Sequence, residues 1–374
     1  MSKIDDLYNS LATEQQSRIT RQQFLNGILH LEMEKLRDMG LFKNLSLTFE
    51  DARDIIYNKL INNYNNIVPD GSHRCMHNYC RNKDIKASHV LPAAGLRMIA
   101  GKSGKKNNVL YTPLADLNLE QLKIITLGIN KAFRFPGFCE KHENWFDFER
   151  KIEITSNEEA YKQIFRSICY DQYLKELFME QDKLLVNLAL GKVKEKAEGI
   201  FAEHTILDIE LKSYHNAETK NMLKRLKRST RRGKLLLKEF KEFKKNVWKA
   251  IRKDKSEVFL WQGEAKSRIP VALTHCGYIH ITNLGKTYRV FAAIVIMPVA
   301  AGSIILICSP AKFKRQINYI IGSFRQKGYL DHFIFSTLAS LTDNWLVNPE
   351  FWDNDLAEDA IKELLGKRNW EQPD

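Results

Sequence analysis

Two short pairs of potential metal ligands, far apart in the chain, constrain its fold more than any other feature. The first pair is Cys75-x₄-Cys80 and the second is Cys139-x₂-His142. Three thiolates and one imidazole form a closed tetrahedral set that suits Zn²⁺. We therefore expect one structural zinc ion to tie the two segments together, with His77, inside the first pair, as an alternative ligand.

The other cysteines are interpreted as buried thiols. The chain has six cysteines in all, which are too few and too scattered for a disulfide scaffold. Cys169 lies in a helical pattern, and Cys276 and Cys308 lie among apolar neighbours. Cysteine pairs of this kind are typical of metal binding in a reducing compartment, so we expect a cytoplasmic protein.

An apolar run from Val290 to Cys308 is long enough to span a bilayer. However, Pro298 and Ala301-Gly302-Ser303 lie in its middle, and both halves are rich in Ile and Val. This pattern favours two strands joined by a turn over a membrane helix. The first residues contain neither the basic nor the apolar segment of a secretory signal, so we expect no membrane partner.

Positive charge is concentrated in one part of the chain. The formal net charge is +13, and Lys and Arg dominate residues 220–255. Such a block is typical of proteins that bind polyanions, although a solvated basic helix face is the alternative. We expect nucleic acid, DNA rather than RNA, as the partner. The candidate contacts are Lys224, Arg225, Lys227, Arg228, Arg231, Arg232, Lys234, Lys244 and Lys245.

Hydrophobic periodicity divides the chain into four regions. Residues 1–66 and 154–255 follow helical spacing, residues 67–153 are rich in turns and cysteines, and residues 256–374 change to a strand pattern. The predicted fold class is α+β and mostly helical, with a central metal-binding module between helical regions. The last region is expected to be a separate C-terminal α+β domain that binds a protein partner or senses a trigger.

Several elements are predicted within these regions. An apolar stripe in the basic region predicts core packing, and Gly233 is expected to separate its helix from the preceding one. The stripe consists of Leu236, Phe240, Phe243, Val247 and Ile251. Strands are expected at Val258–Trp261, Ala272–Ile281, Tyr288–Met297 and Ser303–Cys308, followed by helices over 311–344 and 355–366.

Three motifs resemble those of the zinc-containing HNH endonucleases, the ββα-metal or His-Me finger family with a treble-clef zinc site. They are Cys75-x₄-Cys80, Ser88-His89-x₂-Pro92 and Gly137-Phe138-Cys139-x₂-His142-Glu143-Asn144. The resemblance covers about residues 70–153 and is strongest to enzymes of bacterial anti-phage defence. It implies a treble-clef/ββα-metal module in which the Cys₃His zinc is structural.

The resemblance also implies catalytic roles for three residues. His89 matches the histidine that activates water as a general base, and a near-neutral pKa suits it to that role. Glu143 matches the helix position that binds a catalytic divalent metal, and Asp147 follows one turn later. Carboxylate ligands favour Mg²⁺ or Mn²⁺. The alternatives are a core histidine for His89 and helix-dipole stabilisation for the two carboxylates.

The sequence departs from the family's pattern at three places. Ser88 stands where a metal-binding Asp, Glu or His commonly precedes the base, and Glu143 replaces His or Asn on the helix. The central Asn of the family is not assignable among Asn107, Asn108 and Asn130.

We expect a metal-dependent hydrolase that cleaves DNA as an endonuclease in anti-phage defence. The alternative is a non-catalytic zinc protein that binds nucleic acid or a partner protein through its basic helices and C-terminal domain.

Overall fold

The computed structural model describes residues 74–103, 106–114, 123–146, 153–189, 217–266, 269–283, 286–300, 302–324 and 344–354. The helices predicted in 1–66 and over 355–366 lie outside the described residues, as do Asp147 and most of the helix predicted over 311–344. Contact density divides the chain into two compact units, one of residues 1–65 and 175–235 and the other of residues 66–174 and 236–374.

The described elements follow in chain order. The strands are β1 Ile85–His89, β2 Gly101–Ser103, β3 Lys106–Leu114, β4 Lys123–Gly128, β5 Arg134–Cys139, β6 Val258–Ala265, β7 Val271–Asn283, β8 Lys286–Val299, β9 Gly302–Pro310 and β10 Trp345–Val347. The helices are α1 Ala93–Ile99, α2 Glu140–Glu143, α3 Asn157–Ala189, α4 Ala217–Ile251, α5 Lys314–Ser323 and α6 Pro349–Asn354.

The prediction of a mostly helical protein with a separate C-terminal domain is wrong. Roughly 45% of the described residues are helical and 37% are in strands, and eight strands form one large sheet. The strand order in this sheet is β2-β3-β10-β7-β8-β9-β6, with β4 also paired to β3. Strands β2 to β4 come from the turn-rich region and β6 to β9 from the C-terminal region. Both regions therefore contribute to one sheet.

The short strand β10 explains how two distant regions share that sheet. Val347 pairs with Tyr111 of β3 on one side and with Val271 of β7 on the other. Thr112 donates its hydroxyl to the Trp345 carbonyl at 2.9 Å, and all three residues of β10 are buried. Three residues with little local pattern were not predicted as a strand, because their pairing depends on partners far away in the sequence.

The four strands expected in the C-terminal region are confirmed and longer than predicted. Strand β8 runs for 14 residues, and its last ten are all buried. Such a run, buried on both faces, cannot be distinguished from a helix by periodicity alone. The turn between Val299 and Gly302 confirms the strand–turn–strand interpretation of this segment. None of the described helices is both long and apolar enough to cross a membrane.

Helix α4 confirms the apolar stripe and corrects the expected break at Gly233. Phe240 and Phe243 are buried, with ring centroids 5.8 and 5.5 Å from that of Phe291 on β8. The helix runs through Gly233 without interruption. A Cβ at this position would lie 2.6 Å from the Met179 sulfur of α3. The glycine therefore allows close helix packing and does not end the helix.

Candidate metal centre and histidine pocket

A small finger of two strands and a helical turn positions the predicted metal ligands. β1 and β5 pair antiparallel, with Ile85 opposite Cys139 and His89 opposite Arg134. The first ligand pair lies in the loop before β1, where the Cys75 amide donates to the Asn82 carbonyl at 2.9 Å. Cys139 ends β5, and His142 lies on α2 directly after it. The strand register therefore brings the two ligand pairs to the same end of the finger.

The four predicted ligands form one cluster that could hold a metal ion. Their ligand atoms all lie within 4.8 Å of one another. His142 Nδ1 is 3.4 Å from Cys75 Sγ and 3.2 Å from Cys139 Sγ, and the sulfurs of Cys80 and Cys139 are 4.0 Å apart. Cys75 and Cys139 are buried. Burial raises the pKa of the Cys75 thiol, so a cation is needed to hold it as a thiolate.

His77 packs on the cluster and is not one of its ligands. Its ring stacks on that of His142, with centroids 3.7 Å apart, and its Nδ1 is 3.1 Å from the Asn78 carbonyl oxygen. Trp248 lies edge-on at 4.5 Å. Burial, followed by the neighbouring His142, lowers the pKa of His77 to about 4. His77 therefore supports the ligand ring through aromatic packing.

Glu143 has two partners within the protein. Ser88 donates its hydroxyl to Glu143 Oε2 at 2.6 Å, and the Arg166 guanidinium of α3 forms an ion pair with Oε1. The Arg166 side chain is fully buried, and its guanidinium lies over the rings of Phe146 and Phe138 at 4.5 and 6.0 Å. A buried arginine on an otherwise apolar stretch of helix is the sequence signal that could have identified this partner.

His89 lies at the end of β1 in a positively charged environment. Its Nε2 is 3.4 Å from the Ile129 carbonyl oxygen, and its cross-strand partner is Arg134. Burial, followed by Arg134 and then by Arg166 and Arg97, lowers the pKa of His89 to about 4. The imidazole is therefore neutral at cellular pH. Because successive side chains of a strand point to opposite faces, His89 points away from the face where Ser88 meets Glu143.

The residues present do not fit a catalytic divalent cation beside His89. The Glu143 carboxylate is held by Arg166 and Ser88, and the surrounding side chains carry positive charge. We searched the described ranges for groups of three or more His, Cys, Asp and Glu side chains whose ligand atoms are close enough to share a metal ion. The Cys₃His cluster is the group found there. Asp147 lies outside these ranges, so its expected role stays a prediction.

The predicted nucleic-acid contacts are mostly exposed on α4. Arg225 lies on the same helix, but its side chain is outside the described residues. Lys244 differs from the others, because its Nζ donates to Gln172 Oε1 at 3.0 Å and it is only partly exposed. We therefore assign Lys244 a packing role. The exposed members are Lys224, Lys227, Arg228, Arg231, Arg232, Lys234 and Lys245.

Comparison with known proteins gives no relative. No known protein-family model matches this chain, and no curated protein and no solved structure is significantly similar to it. The arguments about function therefore depend on the side chains and the geometry described above.

Proposed function

We propose that this chain is a zinc-stabilised endonuclease that cleaves phosphodiester bonds of nucleic acid, with His89 as the general base. The observation that carries the proposal is a neutral, part-buried imidazole at the end of β1, with Arg134 opposite it in the strand register. A general base must be unprotonated to accept a proton, and guanidinium groups bind phosphate oxygens well.

The ligand distances support zinc as the ion of the finger. Zn–S bonds of about 2.3 Å in a tetrahedral site place two sulfurs about 3.8 Å apart. Cys80 and Cys139 are 4.0 Å apart, and the sulfur–nitrogen distances to His142 of 3.2 and 3.4 Å are similar to those of such a site. The zinc ion would be structural, since all four positions are filled by protein ligands.

The chemistry assigned to the site is a displacement at phosphorus. His89 takes a proton from the attacking hydroxyl group, whose oxygen forms a new bond to phosphorus. The bond between phosphorus and the leaving sugar oxygen breaks, and that oxygen keeps the electron pair and takes a proton from solvent. Arg134, opposite His89 in the strand register, is placed to stabilise the charge on the phosphate oxygens.

The basic face of α4 supports nucleic acid as the substrate. Its exposed Lys and Arg side chains can neutralise successive phosphates without reading sequence. This supports binding with little sequence specificity, as expected for DNA and equally suited to RNA. The resemblance of the finger to defence nucleases supports a role against phage. That role is tested by counting plaques on bacteria that express the wild type or His89→Ala.

A second candidate function is non-catalytic binding of nucleic acid or of a protein partner. The observation that favours it is the pairing of Glu143 with Arg166 and Ser88, which leaves a structural network where the resembling enzymes hold a metal. In this case the zinc ion and the buried arginine only stabilise the finger. The basic helix would then account for all of the affinity.

A cleavage assay distinguishes the two candidates. Zinc-loaded protein is incubated with plasmid DNA and with a long single-stranded RNA, in buffer without divalent ions and with added Mg²⁺ or Mn²⁺. We expect cleavage by the wild type and a loss of about 10²–10⁴-fold in His89→Ala, the usual contribution of a positioned acid–base group. His280→Ala, which changes an exposed histidine of β7, is the matched control and should keep full activity.

The assay decides against the nuclease if a well-folded wild type cleaves neither polymer under any condition. It decides against His89 as the base if His89→Ala keeps wild-type cleavage together with normal zinc content and thermal stability. Binding of both polymers without cleavage would favour the second candidate.

A further inference from the structure

Arg166 occupies the position beside Glu143 where the resembling enzymes hold a divalent metal ion. Ser88 and Glu143 lie side by side, with a 2.6 Å hydrogen bond between their side chains, and the guanidinium that pairs with Glu143 comes from helix α3. The negative charge of Glu143 is therefore neutralised from within the protein. The arginine is fully buried, whereas the side chain of Glu143 is 29% exposed.

A divalent ion would have to displace this arginine before it could bind Glu143. The displaced guanidinium would remain buried without its carboxylate partner, a strongly destabilising arrangement. Its stacking over Phe146 and Phe138 further fixes it in place. The hydroxyl of Ser88 is a poor replacement for the charged ligands that Mg²⁺ prefers. The cation that balances the charge of the Ser88–Glu143 pair is therefore the Arg166 guanidinium.

The pairing of Glu143 with Arg166 then limits which phosphodiester the site can cleave. General-base catalysis by His89 contributes about 10²–10⁴-fold by itself, and DNA offers no nucleophile of its own. RNA carries a 2′-hydroxyl next to each scissile phosphate, so the attacking group is already in position and its reaction is intramolecular. His89 as the base and Arg134, which lies opposite it in the strand register, are sufficient for this reaction.

We infer that Arg166 takes the place of a divalent metal at Glu143, and that the substrate is an RNA strand cleaved by its own 2′-hydroxyl on the face of β1 that carries His89. The inference rests on the proposed function and narrows its substrate class. His89 takes the proton of the 2′-hydroxyl, and the 2′-oxygen forms a bond to phosphorus. The bond from phosphorus to the 5′-oxygen breaks, and that oxygen leaves with the electron pair and takes a proton from solvent. The products are a 2′,3′-cyclic phosphate and a 5′-hydroxyl end.

The role assigned to Arg166 is tested by Mn²⁺ binding, a measurement that does not depend on nuclease activity. Zinc-loaded protein is titrated with Mn²⁺ and the free ion is measured by electron paramagnetic resonance. We expect the wild type and Glu143→Gln to bind Mn²⁺ alike, because Glu143 is not available to the ion. Arg166→Met should gain a Mn²⁺ site, and the double variant Arg166→Met with Glu143→Gln should lose it again.

A wild-type Mn²⁺ site that disappears in Glu143→Gln would overturn the assignment of Arg166. An Arg166→Met protein that folds and gains no Mn²⁺ site would also overturn it. If Arg166→Met does not fold, the comparison of the wild type with Glu143→Gln still decides the question.

The substrate class is tested with three polymers of one sequence: RNA, DNA and fully 2′-O-methylated RNA. In buffer without divalent ions, we expect only the RNA to be cut, and mass spectrometry should find 2′,3′-cyclic phosphate ends. Cleavage that requires added Mg²⁺ or Mn²⁺, or that also cuts the DNA or the methylated RNA, would overturn this inference and leave the proposed nuclease intact. If no polymer is cut in any buffer, the proposed function fails and the RNA assignment fails with it, while the Mn²⁺ titration still decides the role of Arg166.

Discussion

Individual side chains of this protein owe their chemistry to what packs against them. His89 is neutral because it is partly buried beside Arg134, and Glu143 is held as a carboxylate partner by a buried arginine. Asp171 lies in the core, where Asn344 Nδ2 donates to its Oδ1 at 2.7 Å. In each case the residue type permits several roles, and the neighbours select one of them.

The pH dependence of cleavage tests the environment of His89. Burial and Arg134 lower its pKa to about 4, so the base form is complete at cellular pH. We expect kcat/KM to be level above about pH 5 and to fall as the pH drops through about 4, because the protonated ring cannot accept a proton. Arg134→Gln removes a positive charge and should move this acidic limb to higher pH. Arg289→Gln, on β8, should leave it in place, and an unmoved limb in Arg134→Gln would contradict the prediction.

Asp171 gives a residue-scale prediction about stability. Burial raises its pKa well above the usual value, so the folded state holds a proton that the unfolded state releases. The proton that Asp171 holds in the folded state contributes to stability at low pH. This contribution to the free energy of unfolding is lost as the pH rises, so Asp171 destabilises the fold increasingly above about pH 4. The free energy of unfolding of Asp171→Asn, relative to that of the wild type, should therefore increase as the pH rises from 5 to 8. Urea unfolding of both proteins at pH 5 and at pH 8 measures this change. An equal difference in unfolding free energy between variant and wild type at the two pH values would contradict the prediction.

Helix α4 shows how one element can serve two purposes. Phe240, Phe243 and Val247 are buried on one side, while those lysines and arginines of its N-terminal half whose side chains are described are exposed. The spacing of the apolar residues determines which face packs and leaves the charges in solvent. The exception is Lys244, whose partners are Gln172 and the Met76 carbonyl.

Charge reversal on α4 tests the nucleic-acid interface. Replacing Lys227, Arg228, Arg231 and Lys234 by Glu should weaken binding and flatten its dependence on salt by a slope of about 3, because four fewer phosphates are neutralised. The measurement is the dissociation constant for a labelled RNA and DNA over a series of salt concentrations. The control reverses four exposed basic residues elsewhere, Lys286, Arg289, Lys312 and Arg315, and so has the same net charge. Equal effects of the two sets would show that only net charge matters.

At the scale of the whole molecule, two sheets depend on different forces. The sheet of eight strands has an extensive apolar core in which Ile294, Val295 and Ile296 are fully buried. In the part of the chain that the structure describes, the finger consists of the two strands β1 and β5. A pair of strands is marginally stable by itself, so we expect the finger to need a metal ion at the Cys₃His cluster and the packing of α3 to stay folded. Phe135 of β5 contacts Tyr170 of α3 with ring centroids 5.4 Å apart.

Metal removal should therefore unfold the finger before the large sheet. Cys139→Ser should lower the metal content below one equivalent per chain, and hydrogen exchange should increase in residues 74–89 and 134–146. Protection of β7, β8 and β9 should remain, because their stability comes from apolar burial. Cys308→Ala, which changes a buried thiol of β9, is the control and should keep the metal. Loss of protection throughout both sheets at once would contradict this order.

The sequence by itself determined the features that depend on local spacing. These are the Cys₃His ligand set, the apolar stripe of α4 and strands β6 to β9, since each is set by residue type and period over a few turns or strand residues. Only the tertiary structure decided the pairing of Glu143 with Arg166, the face toward which His89 points and the joining of β3 to β7 through β10. These depend on contacts between residues distant in sequence, where a one-residue change of register or one buried charge selects a different neighbour.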